Sequence, residues 1–302
     1  MRVVYFGMIG AFSIAPLAAL LDAGIEVGAV ITPTRSGAAQ APIARVKPNL
    51  DRSPLPIVNP YLERNIVHLA WEHGIPVFEV SRLNHSETLS TLTELQPDVG
   101  CVACFSRRIP AALLELPRLG FLNVHPALLP AYRGPEPLFW TFRNGETATG
   151  VTIHFMDEGL DTGDIALQAP LELPAGISGA EAGRLSSKLG GQLLVEAVRA
   201  LERGTLARHK QSAGGAYSPT PAPEDFILNP TWPARRAFNF MRGTAEWGRP
   251  YRIEVNGERL VLKSAISFST TEVLSAPVIR SSGEVWIQFN PGVLRTELST
   301  DF

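Results

Sequence analysis

The feature that most constrains the fold of this chain is the alternation of short apolar runs with helical patterns over residues 1–155. Buried-type strands are predicted at Val3–Phe6, Val27–Thr32, Pro76–Val80, Val99–Phe105, Phe121–Val124 and Gly150–Phe155. Helices are predicted at Ile14–Asp22, Tyr61–Gly74, Ser86–Leu95 (with Ser86 as N-cap) and Ala111–Leu116. Such an alternation predicts an α/β domain with a largely parallel sheet. Ligands of these sheets bind beyond the carboxyl ends of the strands.

The rest of the chain extends this reading to two domains. A long amphipathic helix at Glu181–Leu201 closes the α/β domain, which we place at residues 1–204. Residues 205–223, rich in Gly, Ser and Pro, are predicted to be a linker. Residues 224–302 combine a helix (Ala234–Met241) with strands around the hairpin signal Asn256-Gly257, which predicts a small β-rich domain. The stretch from Arg35 to Pro60 lacks periodicity and is predicted to be a long loop.

Composition excludes several classes of protein. The chain has 302 residues and is 45% hydrophobic, which excludes wholesale disorder. Two cysteines are too few for a disulfide framework, and a net charge of −2 argues against a strongly cationic nucleic-acid binder. No apolar run reaches the roughly 18 residues of a membrane helix. Met1-Arg2 leads directly into a strand, which is unlike a signal peptide. We therefore expect a cytoplasmic protein without a membrane partner.

Three polar residues near predicted strand ends are candidates for chemistry. Asn123 and His125 lie two apart in an apolar strand and therefore point to the same face. Asp161 lies in the loop that follows the strand carrying Thr152 and His154. An amide donor, an imidazole and a carboxylate suit acyl-type transfer, because the amide stabilises an oxyanion and the imidazole handles charge or a proton. The chain has no nucleophile elbow, which predicts direct transfer to an external nucleophile. Taken singly, an Asn or His at a strand end is more often a turn residue or a satisfied polar group.

Two segments carry a resemblance to a known family. They are residues 121–134 (FLNVHPALLPAYRG) and residues 149–165 (TGVTIHFMDEGLDTGDI). At this spacing they resemble the formyltransferases that use 10-formyltetrahydrofolate. That family includes methionyl-tRNA, glycinamide ribonucleotide and nucleotide-linked amino-sugar formyltransferases. The resemblance implies a Rossmann-like catalytic domain. The tail looks like the open-barrel (OB-like) carboxyl-terminal domain of the methionyl-tRNA enzymes.

The resemblance also implies a role for each matching residue. Asn123, His125 and Asp161 match the family's catalytic triad. The folate is expected to be bound through backbone groups of two loops, namely Ala103, Cys104, Phe105, Ser106 and Arg107, and His154, Phe155, Met156 and Asp157. Residues expected to support the site or bind the acceptor are Gly7, Gly10, Arg133, Gly134 and Thr152. The formyl donor is 10-formyltetrahydrofolate, and no metal is implied.

The acceptor amine has two candidates. The two-domain layout suggests initiator methionyl-tRNA as the default. The segment Tyr132-Arg133-Gly134 and the motifs after it look closer to the amino-sugar enzymes, and Ala127 replaces a frequent Ser of the family. The sparse basic residues Arg35, Arg45, Lys47 and Arg52 also depart from the basic loop of methionyl-tRNA enzymes.

Other motifs have weaker interpretations. His125, His154 and Asp161 form a legitimate metal-ligand set, so a metal-dependent hydrolase is the alternative from a different class. Gly7-Met-Ile-Gly10 lacks the dinucleotide-binding pattern, and a close turn is expected there. Cys101 and Cys104 lie within a predicted buried strand and are expected to pack in the core.

Overall fold

A computed structural model describes residues 1–34, 41–47, 65–281 and 283–299. Its strands are β1 (Arg2–Gly7), β2 (Glu26–Pro33), β3 (Ile43–Val46), β4 (Val77–Val80), β5 (Val99–Ala103), β6 (Phe121–His125), β7 (Ala148–Phe155), β8 (Ile165–Glu172), β9 (Tyr251–Val255), β10 (Glu258–Ser269), β11 (Val278–Ser281), β12 (Glu284–Gln288) and β13 (Val293–Leu298). Its α-helices are α1 (Ile14–Asp22), α2 (Ile66–Glu72), α3 (Ser86–Glu94), α4 (Ala111–Leu114), α5 (Pro137–Asn144), α6 (Gly179–Glu202) and α7 (Ala234–Gly243). Short 3-10 helices occupy Ala11–Ser13, Pro223–Phe226 and Ala245–Trp247.

The larger sheet has eight strands in the order β3-β4-β2-β1-β5-β6-β7-β8. Five neighbouring strands of this sheet, β4, β2, β1, β5 and β6, pair in parallel. Strand β3 pairs antiparallel with β4, and β7 pairs antiparallel with β6. The central strands are continuous apolar runs, as expected of strands whose two faces are both covered. The predicted α/β class with a largely parallel sheet is confirmed.

Several predicted elements need correction. The strand expected at Val99–Phe105 ends at Ala103, because Cys104 adopts a positive φ of 57°. Cys104 is therefore exposed, whereas Cys101 is buried in β5 as expected. Helix α3 is capped by the His85 side chain, which accepts a hydrogen bond from the Glu87 amide, and Ser86 is the first helical residue instead of the N-cap.

The region from Arg35 to Pro60 contains a strand that the sequence analysis missed. Residues 43–46 form β3, so the expectation of an uninterrupted loop was wrong there. Residues 35–40 and 48–60 lie outside the described part of the chain, as do residues 61–64 of the helix predicted from Tyr61. Asn65 caps the described helix α2 by accepting hydrogen bonds from the amides of Val67 and His68.

The smaller sheet has five antiparallel strands in the order β11-β12-β13-β10-β9. The predicted hairpin is present, with Asn256 and Gly257 both at positive φ between β9 and β10. Phe240 is fully buried and Trp232 is 8% exposed, and both belong to one apolar cluster with strand residues such as Ile253. The prediction of a β-rich second domain is confirmed.

The chain forms two compact units. The first comprises residues 1–131, 150–169 and 186–215, and the second comprises residues 132–149, 170–185 and 216–302. The domain limits at residues 204 and 223 stay a prediction. Among the helices of the described residues, none is both long enough and apolar enough to cross a membrane.

Candidate active site

Strands β6 and β7 place four polar side chains side by side in the first unit. Asn123 and His125 are two apart in β6 and so share one face of the sheet. The antiparallel register sets His154 opposite Asn123 and Thr152 opposite His125. Directly opposed residues project to the same face, so the four side chains form one group. His125 is 3% exposed and His154 is 1% exposed, which isolates both rings from bulk water.

Asp161 brings a carboxylate to this group. Its Oδ2 atom lies 3.7 Å from Nδ1 of His125. Its Oδ1 atom lies 3.4 Å from Nδ2 of Asn123 and 3.4 Å from Nε2 of His154. The structure therefore brings together the three residues that the sequence analysis selected, at distances somewhat longer than those of strong hydrogen bonds.

His154 makes a side-chain contact that the sequence analysis missed. Its Nδ1 atom lies 2.9 Å from the Phe155 carbonyl oxygen, which can only accept, so we assign the ring proton to Nδ1. The unprotonated Nε2 then accepts a hydrogen bond from Nδ2 of Asn123 at 3.0 Å. His154 thus fixes the orientation of the Asn123 amide. The sequence signal was the two-residue alternation of Thr152 and His154, but their partners depend on a strand register that the sequence does not show.

The loop that carries Asp161 is tightly folded. Asp157 accepts hydrogen bonds from the Gly159 amide at 3.0 Å and from the Thr162 hydroxyl at 2.7 Å. A Cβ atom at Gly163 would lie 1.8 Å from the Phe155 carbonyl oxygen, so only glycine fits there. Asp161 itself has a φ of 55°, a conformation that costs a non-glycine residue energy. The surrounding contacts must hold that conformation.

Residues 208–211, which we call the anchor segment, contact this loop and the ends of the two strands that flank it. The Arg208 guanidinium lies 3.7 Å from the centre of the Phe155 ring. His209 exchanges two backbone hydrogen bonds with Ile165, of 2.8 and 2.9 Å. The Gln211 side-chain amide donates to the carbonyl oxygens of Asp161 at 2.8 Å and Gly163 at 2.7 Å. These residues fall in the predicted linker, and the sequence analysis gave them no role.

The residues that directly follow the two loops expected to bind the folate are in contact in the first unit. Arg107 donates to the carbonyl oxygens of Ser81 and Thr34, which follow β4 and β2. Arg108 donates to the Glu158 carbonyl oxygen and so joins the loop after β5 to the loop after β7. A surface cavity of about 360 Å³ is lined by both of these residues, with Ile109, Pro110 and Ala111.

Ser13 links the turn after β1 to the end of β5. Its hydroxyl donates to the Ala103 carbonyl oxygen at 2.6 Å and accepts from the Met8 amide at 3.0 Å. Tyr5 donates to the Ser13 carbonyl oxygen at 2.6 Å, and burial raises the pKa of the Tyr5 phenol well above its usual value. The turn from Gly7 to Gly10 is thereby fixed beside β5. A Cβ atom at Gly7 would lie 3.0 Å from the Ser13 Cβ atom, which leaves no room for a side chain.

The remaining selected residues have structural contacts. Thr152 donates to the Ala127 carbonyl oxygen at 2.6 Å and accepts from the Leu129 amide at 3.1 Å, which holds the turn after β6. Arg133 and Gly134 belong to the second unit. There the Arg133 carbonyl oxygen accepts from the Ser218 amide at 2.7 Å. A Cβ atom at Gly134 would lie 2.1 Å from the Ser218 carbonyl oxygen, so glycine is required at this position.

A metal site receives no support from the geometry. Across the residues that the structure describes, no group of three or more His, Cys, Asp or Glu side chains is placed to hold a metal ion. Nε2 of His154, a ligand atom in the hydrolase hypothesis, is instead directed at the Asn123 amide. The arrangement is that of an amide donor, an imidazole and a carboxylate gathered at one position.

Comparison with known proteins first defines the class of fold. An N-formyltransferase from Helicobacter canadensis, solved in complex with folinic acid and dTDP-3-aminofucose, superposes with a TM-score of 0.68 at 16% identity, over 99% of each chain. The chain therefore has the α/β fold with a carboxyl-terminal β domain seen in that protein.

Sequence comparison then identifies the family. The sequence model described as "Formyl transferase" matches residues 18–198, which is more than half of the chain. The methionyl-tRNA formyltransferase of Acidobacterium capsulatum is 35% identical over 265 residues, covering 87% of this chain and 79% of that protein. The chain belongs to the formyl transferase family.

A second relative matches more closely over a shorter region. The methionyl-tRNA formyltransferase of Synechococcus sp. (strain JA-3-3Ab) is 43% identical over 176 residues, or 58% of this chain. This match spans only 55% of the length of that relative.

Proposed function

We propose that this chain is an enzyme that transfers the formyl group of 10-formyltetrahydrofolate to a primary amine. The observation that carries the proposal is the convergence of Asn123, His125 and Asp161, with carboxylate distances of 3.4 Å to Asn123 Nδ2 and 3.7 Å to His125 Nδ1. Membership of the formyl transferase family supports the reaction type. The folate is a co-substrate in this scheme, and no metal is required.

Each residue of the triad has a role that follows from its atoms. The Asn123 amide has two N–H groups. One is directed at His154 and the other at Asp161, whose Oδ1 atom lies 3.4 Å from Nδ2 of Asn123. A bond of that length is weak, so the second N–H can be given to the oxygen of the formyl group as negative charge develops on it. A protonated His125 supplies a second donor, and Asp161 holds its ring and assists removal of the proton from the attacking amine.

The folate is proposed to bind at the loops Ala103–Arg107 and His154–Asp157. Support comes from their connection through Arg108 and Glu158 and from the cavity beside them. Backbone groups of these loops are expected to recognise the pterin. Gly7 and Gly10 are proposed to support the neighbouring turn; a Cβ atom at Gly7 would crowd Ser13, whereas one at Gly10 would meet open space.

The proposal is tested by replacing the triad one residue at a time. Asn123→Ala, His125→Ala and Asp161→Ala are each expected to lower turnover by orders of magnitude, because each removes stabilisation specific to the transition state. Circular dichroism and thermal melting serve as folding controls. Near-wild-type turnover in all three variants would refute the assignment. Stoichiometric zinc or iron, with activity lost on chelation, would instead favour the metal-dependent hydrolase.

For the acceptor, initiator methionyl-tRNA is the default. It is supported by the names of the relatives from Acidobacterium capsulatum and Synechococcus. A nucleotide-linked amino sugar is the second candidate. It is favoured by the charge of the second unit, where three strand arginines are paired with glutamates and so contribute little to binding RNA phosphates, whereas the exposed Arg252 of β9 is not among these pairs. These pairs are Arg259 with Glu254, Arg280 with Glu258, and Arg295 with Glu284.

One assay separates the two acceptors. The purified protein is given 10-formyltetrahydrofolate together with either methionyl-tRNA or a panel of nucleotide-linked amino sugars, and formylated product is measured. Formylation of methionyl-tRNA is the expected result. Turnover on an amino sugar alone would overturn that choice of acceptor and leave formyl transfer intact. Absence of turnover on every amine would overturn both.

A further inference from the structure

Two arginines of the second unit face the same indole ring. Arg143 lies in the last turn of α5, and Arg236 lies in the first turn of α7. Their guanidinium carbons lie 4.5 and 4.0 Å from the centre of the Trp232 ring. Trp232 is 8% exposed, so its ring is a fixed part of the apolar core and cannot move away from them. We call these three residues the arginine clamp.

Among the described residues, no ion pair neutralises the positive charge of the clamp. Within the described ranges, neither guanidinium forms a salt bridge with a carboxylate. Arg236 donates one hydrogen bond, from Nη2 to the Arg143 carbonyl oxygen at 2.7 Å. Its Nε atom is buried without a hydrogen-bond partner. Aromatic faces attract cations, but they leave most of the N–H groups of both guanidiniums without an acceptor.

The electrostatics of the clamp favour a bound anion. Burial lowers the pKa of Arg143, and the positive charge of Arg236 lowers it further, while the charge of Asp225 opposes this. Burial also lowers the pKa of Arg236, with an opposing contribution from Tyr132. Both groups nevertheless stay charged at neutral pH, since guanidinium is a very weak acid. The first turn of α7 has no acidic side chain and no side-chain cap, so no side-chain charge offsets the positive end of the helix, although the Pro291 carbonyl oxygen accepts from the Ala234 amide.

Among anions, a phosphoryl group suits these donors best. Guanidinium groups bind phosphate through paired N–H donors, and the several oxygens of a phosphate let two guanidiniums bind at once. We propose that Arg143 and Arg236, held against Trp232, form a binding site for a phosphoryl group. Transfer RNA and nucleotide-linked sugars both carry this group. The inference does not depend on formyl transfer, because binding is measured without a formyl donor.

The test is a titration of the protein with inorganic phosphate at constant ionic strength, in which binding is measured by calorimetry. The wild-type protein is expected to bind phosphate saturably. Arg143→Gln and Arg236→Gln should each weaken this binding at least tenfold, because each removes one of two charged donors. The control is Arg252→Gln, which removes one positive charge from an exposed position of the same unit. It should change the affinity by less than twofold. Thermal melting in phosphate-free buffer verifies that every variant is folded.

Competition then identifies the source of the phosphoryl group. Displacement of phosphate by a nucleoside diphosphate but not by transfer RNA would assign the site to a nucleotide, and the reverse would assign it to RNA. Three outcomes would overturn the proposal: no saturable binding by the wild-type protein, unchanged affinity in a folded Arg143→Gln variant, or an equal loss in Arg252→Gln. Displacement by neither competitor would also overturn it as a site for a nucleotide or an RNA.

Discussion

The hydrogen bonds of the anchor segment lead us to predict that Gln211 controls turnover without touching substrate. The Gln211→Ala variant removes two hydrogen bonds, to the carbonyl oxygens of Asp161 and Gly163. Each is worth about 1 kcal/mol net, so the loop loses about 2 kcal/mol of its preference for the conformation that presents Asp161 to His125. Because each 1.4 kcal/mol is a factor of ten, kcat should fall by up to about 30-fold. The positive φ of Asp161 favours this release, since the free loop escapes the strained conformation.

Steady-state kinetics with 10-formyltetrahydrofolate and the active acceptor provide the assay. We expect the fall to be confined to kcat, with KM for the folate within about twofold, because the two hydrogen bonds that are lost end on Asp161 and Gly163, outside the loops expected to bind it. The matched control is Gln192→Ala, an exposed glutamine of α6 in the same unit, which should leave kcat unchanged. Gln211→Glu, which has the same size but cannot donate to a carbonyl, should behave like Gln211→Ala.

A double-mutant cycle separates positioning from general stability. In an Asp161→Ala background, Gln211→Ala should cost almost nothing further, because the carboxylate that it positions is already absent. A fully additive loss in the double variant would refute the reasoning. So would a kcat for Gln211→Ala that matches the Gln192→Ala control.

Three further predictions concern other parts of the chain. His154→Phe keeps a ring but removes the acceptor of the Asn123 amide, and kcat should fall about tenfold, with partial recovery in His154→Gln; equal kcat values in wild type and His154→Phe would contradict this. Gly134→Ala should lower the free energy of unfolding in urea by about 2 kcal/mol more than Gly214→Ala, because both have a positive φ but only Gly134 meets a backbone oxygen; equal losses would contradict the reasoning. Burial raises the pKa of Tyr251 from 10.0 to about 12, so the folded protein favours the neutral phenol. Its contribution is complete below pH 10 and is lost as the pH rises towards 12, so wild type should lose about 1.3 kcal/mol more than Tyr251→Phe between pH 9 and 11 in urea titrations; parallel pH profiles would contradict this.

Much of the fold follows from local patterns in the sequence. The apolar runs of β1, β2, β5 and β6 are visible because strands covered on both faces are apolar throughout. Strand β8 was missed, and it contains Pro170, a residue type that argues against a strand when only the sequence is known. Helix α5 was missed because Pro137–Asn144 follows a run of turn residues, although Pro137 at its start is a normal helix opening.

Some features of the candidate site can likewise be predicted from the sequence, and others cannot. The shared face of Asn123 and His125 can be predicted, because residues two apart in a strand point to the same face. The pairing of Asn123 with His154 requires the register of two strands, which is set by packing far along the chain. The role of Gln211 could not be predicted, because a side chain that donates to carbonyl oxygens leaves no periodic pattern in the sequence. A polar segment with Gly and Ser nearby is typical of a linker, and its local sequence does not distinguish a linker from a segment that contacts the site.

The antiparallel pairing of β6 with β7 has a consequence for how such a site can change during evolution. The four side chains depend on the register of the two strands, and the first residues of the connection between them, Ala127 to Leu129, are tied to Thr152. Changes of length are therefore better tolerated farther along the connection than in the turn that Thr152 holds. A single-residue insertion within either strand would turn half of the group to the opposite face. The site thus requires fixed spacing inside the strands and in the turn that follows β6.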